Sequence, residues 1–195
     1  MMSIATLQLM LCGPLFALRG GHDDDYTGDE EDDDLSPNGA IAQRIRAQLA
    51  AQKPLPDARF VIAETTDGRG KGLFVGAEPI EAGAYLFDYG GRLIEQDEYN
   101  ARYTVSRTGG VQADYAVGMV LDDGRSVYVD AADAAESNLA RYMNHAEPDL
   151  ANCVAWTVTQ PEPRVMLFAG DALAAGSEMV WDYGREYWTD RTDQI

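Results

Sequence analysis

Few side chains in this sequence could carry chemistry, and they fall at definite places. The stretch RYMNHAEPDLANC, residues 141 to 153, holds one of two histidines, one of two cysteines, and an Asn144–His145 pair directly after ARYM, which reads as buried. Such a pair either closes a turn or presents two hydrogen-bonding edges to a ligand. DYGG (Asp88 to Gly91) and WDYG (Trp181 to Gly184) each set a tyrosine between an apolar run and a glycine turn. A tyrosine there is either an ordinary half-buried core residue or one whose hydroxyl faces a reacting group. GRGKGLF puts Gly70 and Gly72 on either side of Lys71, a spacing that lets backbone N–H and C=O groups approach a ligand. It lacks the third glycine of a dinucleotide-binding turn and the Lys-Ser/Thr ending of a phosphate loop.

Short elements bounded by turns would hold these residues. From Arg59 onward the chain runs RFVIAET, GLFVGA, AYLFDYGGRLI, DYAVGMVL, SVYVDA, RVMLFAG and EMVWDYG, separated by turn signals such as TDGRGKG, LDDGR and AAGSE. That pattern predicts a mainly β, β-rich α+β domain of small sheets. EQDEYNARYT and DAAESNLARYM are its two expected helices. The first has acids in its opening turn and Arg102 in its last, the sense favoured by the helix dipole. Upstream, AIAQRIRAQLAAQ places Ile41, Ile45 and Leu49 on one helical stripe, ended by Pro54 and Pro56. The expected organisation is an N-terminal tail over 1–57 with an acidic run and a short helix at 41–52, a folded domain over 58–188, and a C-terminal tail over 189–195.

Composition narrows the classes. The net charge of −18 argues against nucleic-acid binding, which needs a basic face. Nine acids lie between His22 and Asp34, a self-repelling run expected to be disordered. Residues 58 to 188 still hold 21 acids against 10 bases, a bias that suits a basic partner or serves solubility alone. Cys12 and Cys153 are the only cysteines, so no Cys-rich zinc site and no disulfide framework is expected, and no metal ligand set is predicted. The apolar first 18 residues carry no basic residue before Arg19 and are broken at Gly13–Pro14, so no membrane span is expected, while a targeting peptide stays open.

In this order, Gly-x-Gly, Tyr-Gly-Gly, VDA, Arg-x-x-Asn-His and Asp-Tyr-Gly, the motifs resemble those of the SET domain family of protein lysine methyltransferases. The resemblance covers residues 58 to 188. It implies small curved β-sheets with short helices and a C-terminal pseudoknot, to which the Arg-x-x-Asn-His segment contributes and in which the C-terminal stretch is threaded through a loop. It implies S-adenosylmethionine as cofactor, with Lys71, Gly72 and Leu73 offering backbone contacts. Tyr115, Arg141, Asn144 and His145 match family positions around that cofactor. Tyr183 matches the catalytic tyrosine beside the sulfonium, and Tyr89 a second tyrosine lining the lysine channel.

The implied reaction is direct methyl transfer to a lysine amine. That amine must be neutral although its unperturbed pKa is about 10.4. A neighbouring sulfonium and an apolar channel both favour the neutral form, so no strong base is required. In-line alignment then supplies roughly 7–11 kcal/mol.

Several positions depart from the family pattern. Ala146 stands where Asn-His is often followed by serine, and Arg92 where an acid is common after Tyr-x-Gly. Trp181 occupies the channel position usually held by phenylalanine or tyrosine; an indole lacks the phenol that limits methylation in relatives, which favours more than one methyl. No cysteine-rich zinc module flanks the motifs, so Tyr187 and Trp188, or another subunit, are expected to close the channel.

Three readings follow: a methyltransferase acting on a histone tail, the same enzyme acting on another protein, and a silent module that binds basic proteins. A histone substrate implies the nucleus, although RIR at Arg44 to Arg46 is too short for an import signal. Oligomeric state is not readable.

Overall fold

The computed structural model describes residues 52–103 and 113–189. The apolar start, the acidic run and residues 190–195 lie outside the described residues, as does the helix expected at 41–52 apart from Gln52, which is not helical. The described residues from Lys53 onward belong to one compact unit.

Its strands in chain order are β1 (Phe60–Glu64), β2 (Lys71–Val75), β3 (Tyr85–Asp88), β4 (Arg92–Glu95) and β5 (Ala116–Val120). Then come β6 (Ser126–Asp130), β7 (Asn144–His145), β8 (Cys153–Val158), β9 (Arg164–Ala169) and β10 (Val180–Trp181). Helix α1 spans Gln96–Arg102 and helix α2 Arg185–Thr189. The strands form three small sheets: β1-β2, β3-β9-β8-β10-β7 and β4-β6-β5.

Sequence pattern explains each. On β2, alternation puts Leu73 and Val75 in the core, while β1 beyond Phe60 is exposed, so that ribbon is held through β2. Residues Val165 to Ala169 of β9 are all buried, the behaviour of an uninterrupted apolar run covered on both faces. In the third sheet, β4 and β5 both pair antiparallel with β6. Tyr99 of α1 stacks on Tyr128 of β6 with ring centroids 3.8 Å apart.

Two local expectations are revised. DAAESNLARYM is not an α-helix; it forms turns and a 3-10 turn over Leu139–Tyr142. Asp133 and Asn138 accept from the Ala135 and Ala140 N–H groups at 2.8 and 3.1 Å, local bonds that compete with a helix. Strand β8 was not anticipated, because CVAW is apolar at both parities and shows no clean alternation.

The arrangement that builds the site is the placement of β10. It pairs parallel with β7 on one side (Val180 with Asn144, Trp181 with His145) and with β8 on the other (Trp181 with Cys153). Since β7 and β8 run the same way, residues 146 to 152 must cross from the end of one to the start of the other past β10. Both ends of that crossing are tied down: Ala146 N–H donates to Trp181 O at 3.1 Å, and Asn152 N–H to Val180 O at 3.1 Å. The late segment therefore sits inside a loop made earlier, the threaded arrangement that the family resemblance implies.

Candidate active site

Asn144 lies at the junction. Its amide nitrogen donates to Lys71 O at 3.2 Å and to Glu178 Oε1 at 2.9 Å. Both acceptors can only accept, so the orientation of the amide is determined, and its Oδ1 is the edge it offers to a ligand. His145 beside it accepts the Tyr183 backbone N–H on Nδ1 at 3.2 Å, which puts the proton of the neutral imidazole on Nε2. Glu147 Oε1 is 3.7 Å from that Nε2, and Asp182 Oδ1 is 3.8 Å from Nδ1.

Two turns after the strands deliver the tyrosines. Tyr183 follows β10 and donates its hydroxyl to Met143 O at 2.6 Å. Tyr89 follows β3 and donates to Tyr115 O at 3.2 Å. Each phenol spends its proton on a backbone carbonyl, so each oxygen faces any ligand as an acceptor. Tyr89 is 7% exposed. Burial first, then the neighbouring Tyr183 phenol, pushes its pKa well above the ordinary tyrosine value. Trp181 lies between them, with ring centroids 6.1 Å from Tyr89 and 5.3 Å from Tyr183.

Helix α2 brings a second aromatic group. The Trp188 ring meets His145 edge-on at 4.8 Å, and Tyr187 meets Tyr183 edge-on at 4.7 Å. Arg141 takes another wall, its guanidinium 4.6 Å over the Tyr115 ring and 5.6 Å from that of Tyr142. Three donors, Trp181 Nε1, Trp188 Nε1 and Arg141 Nε, are buried without an acceptor among the described residues.

The Gly-x-Gly turn contributes unevenly. Gly70 has φ +87°, while Gly72 packs close to Glu178: a Cβ there would lie 2.7 Å from Oε1 and would make that side chain shift. Lys71 is exposed and meets Asn144 through its carbonyl. Leu73 packs its side chain wholly in the core, and its carbonyl accepts the Met179 N–H at 2.8 Å.

Four positioning residues are not singled out by the sequence patterns. Asn138 accepts from Gly90 N–H at 3.1 Å and donates to Asp88 O at 2.8 Å, fixing the DYGG turn. Asn152 accepts from Val180 N–H at 3.0 Å and donates to Glu178 O at 2.8 Å, fixing β10. Arg69 and Glu178 pair at 2.8 Å beneath Asn144. All four bind partners far along the chain, which local patterning does not register.

Chemically, the site offers acceptors at Asn144, Tyr89 and Tyr183, and unmatched donors at Trp188 and Arg141, within aromatic walls. That set is complementary to a ligand that carries cationic or N–H groups together with a carboxylate and ring nitrogens. S-adenosylmethionine is such a ligand, and these residues fit it.

This fold and threaded segment are those of the SET domain family, to which the chain belongs; the family match runs over residues 70–184. Among relatives, it is 31% identical over 122 residues to histone-lysine N-methyltransferase ASHH1 of Arabidopsis thaliana, covering 63% of this chain and 23% of that protein. Against the human histone-lysine N-methyltransferase, H3 lysine-36 specific, it is 31% identical over 143 residues, or 73% of this chain and 5% of the relative. Among solved structures, ctPRC2 in an autoinhibited conformation bound to S-adenosylmethionine matches with a TM-score of 0.55 and 29% identity. That match covers 75% of this chain and 17% of the other. The chain thus spans under a quarter of the length of each.

Proposed function

We propose that the chain is an S-adenosylmethionine-dependent protein-lysine N-methyltransferase whose substrate is a lysine in a basic segment, a histone tail being the class favoured. The observation that carries this reading is the pair of phenols whose protons are spent on Met143 O and Tyr115 O. Two neutral acceptors in an aromatic wall suit a cationic methyl donor and an incoming amine, and would repel neither. The names of the relatives and the ligand of the structural neighbour support it.

When bound, S-adenosylmethionine supplies an electrophilic methyl on a positively charged sulfur that leaves as a thioether. Asn144 Oδ1 would accept from a donor of that ligand, while Trp188 and Arg141 would meet its acceptors. Tyr183, its hydroxyl fixed at 2.6 Å from Met143 O, would direct its oxygen at the transferring methyl and the amine. Tyr89 and Trp181, both 7% exposed, would wall the channel and exclude water, which favours the neutral amine. Tyr187, against Tyr183, would close the opposite side. Trp181 has an unpartnered N–H and no phenol, and we assign it room for more than one methyl.

The excess of acids over bases would draw a basic tail to the domain. A histone substrate places the protein in the nucleus. Incubating the chain with labelled S-adenosylmethionine and separate core histones tests this. Label on one histone is expected, and Tyr183→Phe should cut turnover by roughly 100-fold or more with the fold unchanged by circular dichroism. Cofactor binding without label on any histone would transfer the assignment to another basic protein. Absence of both would leave a silent binding module.

A further inference from the structure

The Asn144 amide is not oriented by its own strand. A chain of charged bonds reaches it from two other segments. Arg69 Nε lies 2.6 Å from Asp67 Oδ2, its NH2 donates to Glu178 Oε2 at 2.8 Å, and its NH1 donates to His145 O at 3.3 Å. The other oxygen of Glu178 accepts the Asn144 amide N–H at 2.9 Å. Glu178 itself is pinned: Asn152 holds its carbonyl, and Met179 N–H donates to Leu73 O. Its side chain is 20% exposed, and Gly72 leaves the room its carboxylate needs.

We propose that Glu178, steadied by Arg69, is a positioning residue that sets which edge of Asn144 a ligand meets. A carboxylate only accepts, so it forces the amide NH2 inward and Oδ1 outward. Lys71 O holds the same NH2 at 3.2 Å, so a glutamine at 178 would leave that neutral acceptor in place, replace the charged one, and add a competing donor that favours the turned amide, with NH2 toward the ligand. The edge of Asn144 therefore recognises a ligand donor, either an ammonium or an exocyclic amine. This assignment rests on the methyltransferase reading and adds to it a residue that the sequence motifs do not single out.

The test is calorimetry on the full chain with S-adenosylhomocysteine and with 5′-methylthioadenosine, which lacks the amino-acid end. Glu178→Gln keeps volume and backbone bonds, and should weaken S-adenosylhomocysteine binding by roughly tenfold. Turnover at saturating cofactor should change far less, a KM effect without a matching kcat effect. Weakening confined to S-adenosylhomocysteine identifies the ammonium as the donor; weakening of both ligands identifies the adenine amine. Arg69→Gln, on the exposed side of the relay, should act in the same direction and less strongly, and it stands in if Glu178→Gln does not fold. Wild-type affinities in both variants would overturn the assignment alone. A wild-type chain that binds neither ligand would overturn the methyltransferase reading and this assignment with it.

Discussion

The β4-β6-β5 sheet and the β7-β10-β8 crossing each bury polar groups, and they hold them in different ways. In the sheet, Asp130 is 3% exposed and accepts from Arg102 at 3.0 Å, Tyr103 at 2.7 Å and Ala132 N–H at 3.0 Å. Glu98 pairs with Arg102 and also with Arg92 around it. The backbone ladder there is regular, with β6 registered along its length to both neighbours. At the crossing, β7 and β10 are two residues long, and side-chain amides do what a ladder does elsewhere. Asn152 carries the Val180 N–H and the Glu178 carbonyl, and Asn138 carries the Gly90 N–H and the Asp88 carbonyl. A change in the first region should therefore cost stability alone, and a change in the second should cost function as well as stability.

The largest effect expected on stability comes from the sheet. Asp130→Ala would leave the Tyr103 hydroxyl, an Arg102 N–H and the Ala132 N–H without their acceptor. Arg102 is about a third exposed and can reach water, so the cost should sit at the low end for a broken buried pair, about 3 kcal/mol. Urea unfolding measures it, and the folded fraction should bind S-adenosylhomocysteine as the wild type does. A fall in affinity alongside stability would show that the two regions are not separable.

Asn152→Ala should cost less in stability and more in function. Two backbone groups lose a neutral partner, at the low end of about 1 kcal/mol each, because alanine leaves space that water can enter. Because β10 leads directly to Tyr183, turnover should fall well beyond what the unfolded fraction explains. Asn152→Asp sharpens the contrast: it keeps the acceptor for Val180 N–H, faces the Glu178 carbonyl without a donor, and should fall between the wild type and alanine. Equal losses of stability and activity in both variants would mean that Asn152 only holds the fold.

The same contrast explains what the sequence disclosed. Most of the apolar runs became strands, and the acids of EQDEYNARYT did open a helix, because those signals are local. Asn144, His145, Tyr89 and Tyr183 were recognisable as an ordered set of motifs, and the structure places their surroundings together. Glu178, Asn152, Asn138 and Arg69 were not, since their bonds span 34, 28, 50 and 109 positions and no periodicity records such pairings. Leu73 carries both kinds of signal: strand alternation sends its side chain to the core, while the backbone contact expected of it comes from motif position alone.

The smallest expected effect is a difference in alkaline pH dependence, because the first region and the strand β3 that leads to the DYGG turn each hold one phenol against a carboxylate. Tyr103 donates to Asp130 at 2.7 Å, and Tyr85, beside the DYGG turn, donates to Asp88 at 2.8 Å. Burial, then the hydrogen bond to the carboxylate, pushes each phenol up to about 12. An unfolded tyrosine titrates near about 10, so the folded state holds these protons more tightly and is the more stable for it below that pH. That stability is lost as pH rises from about 10 through about 12, where the folded phenols ionise. Unfolding measured across this window should show the decline, and absorbance near 295 nm should show these phenols ionising late. Tyr103→Phe should flatten the decline without changing S-adenosylhomocysteine affinity. Tyr85→Phe should flatten it too, and should in addition weaken the ligand, because Arg164 joins the same Asp88 at 2.9 Å and that carboxylate precedes Tyr89. If both variants leave affinity alone, the site is insulated from Asp88, and the entanglement of fold and function is confined to the amide-held crossing.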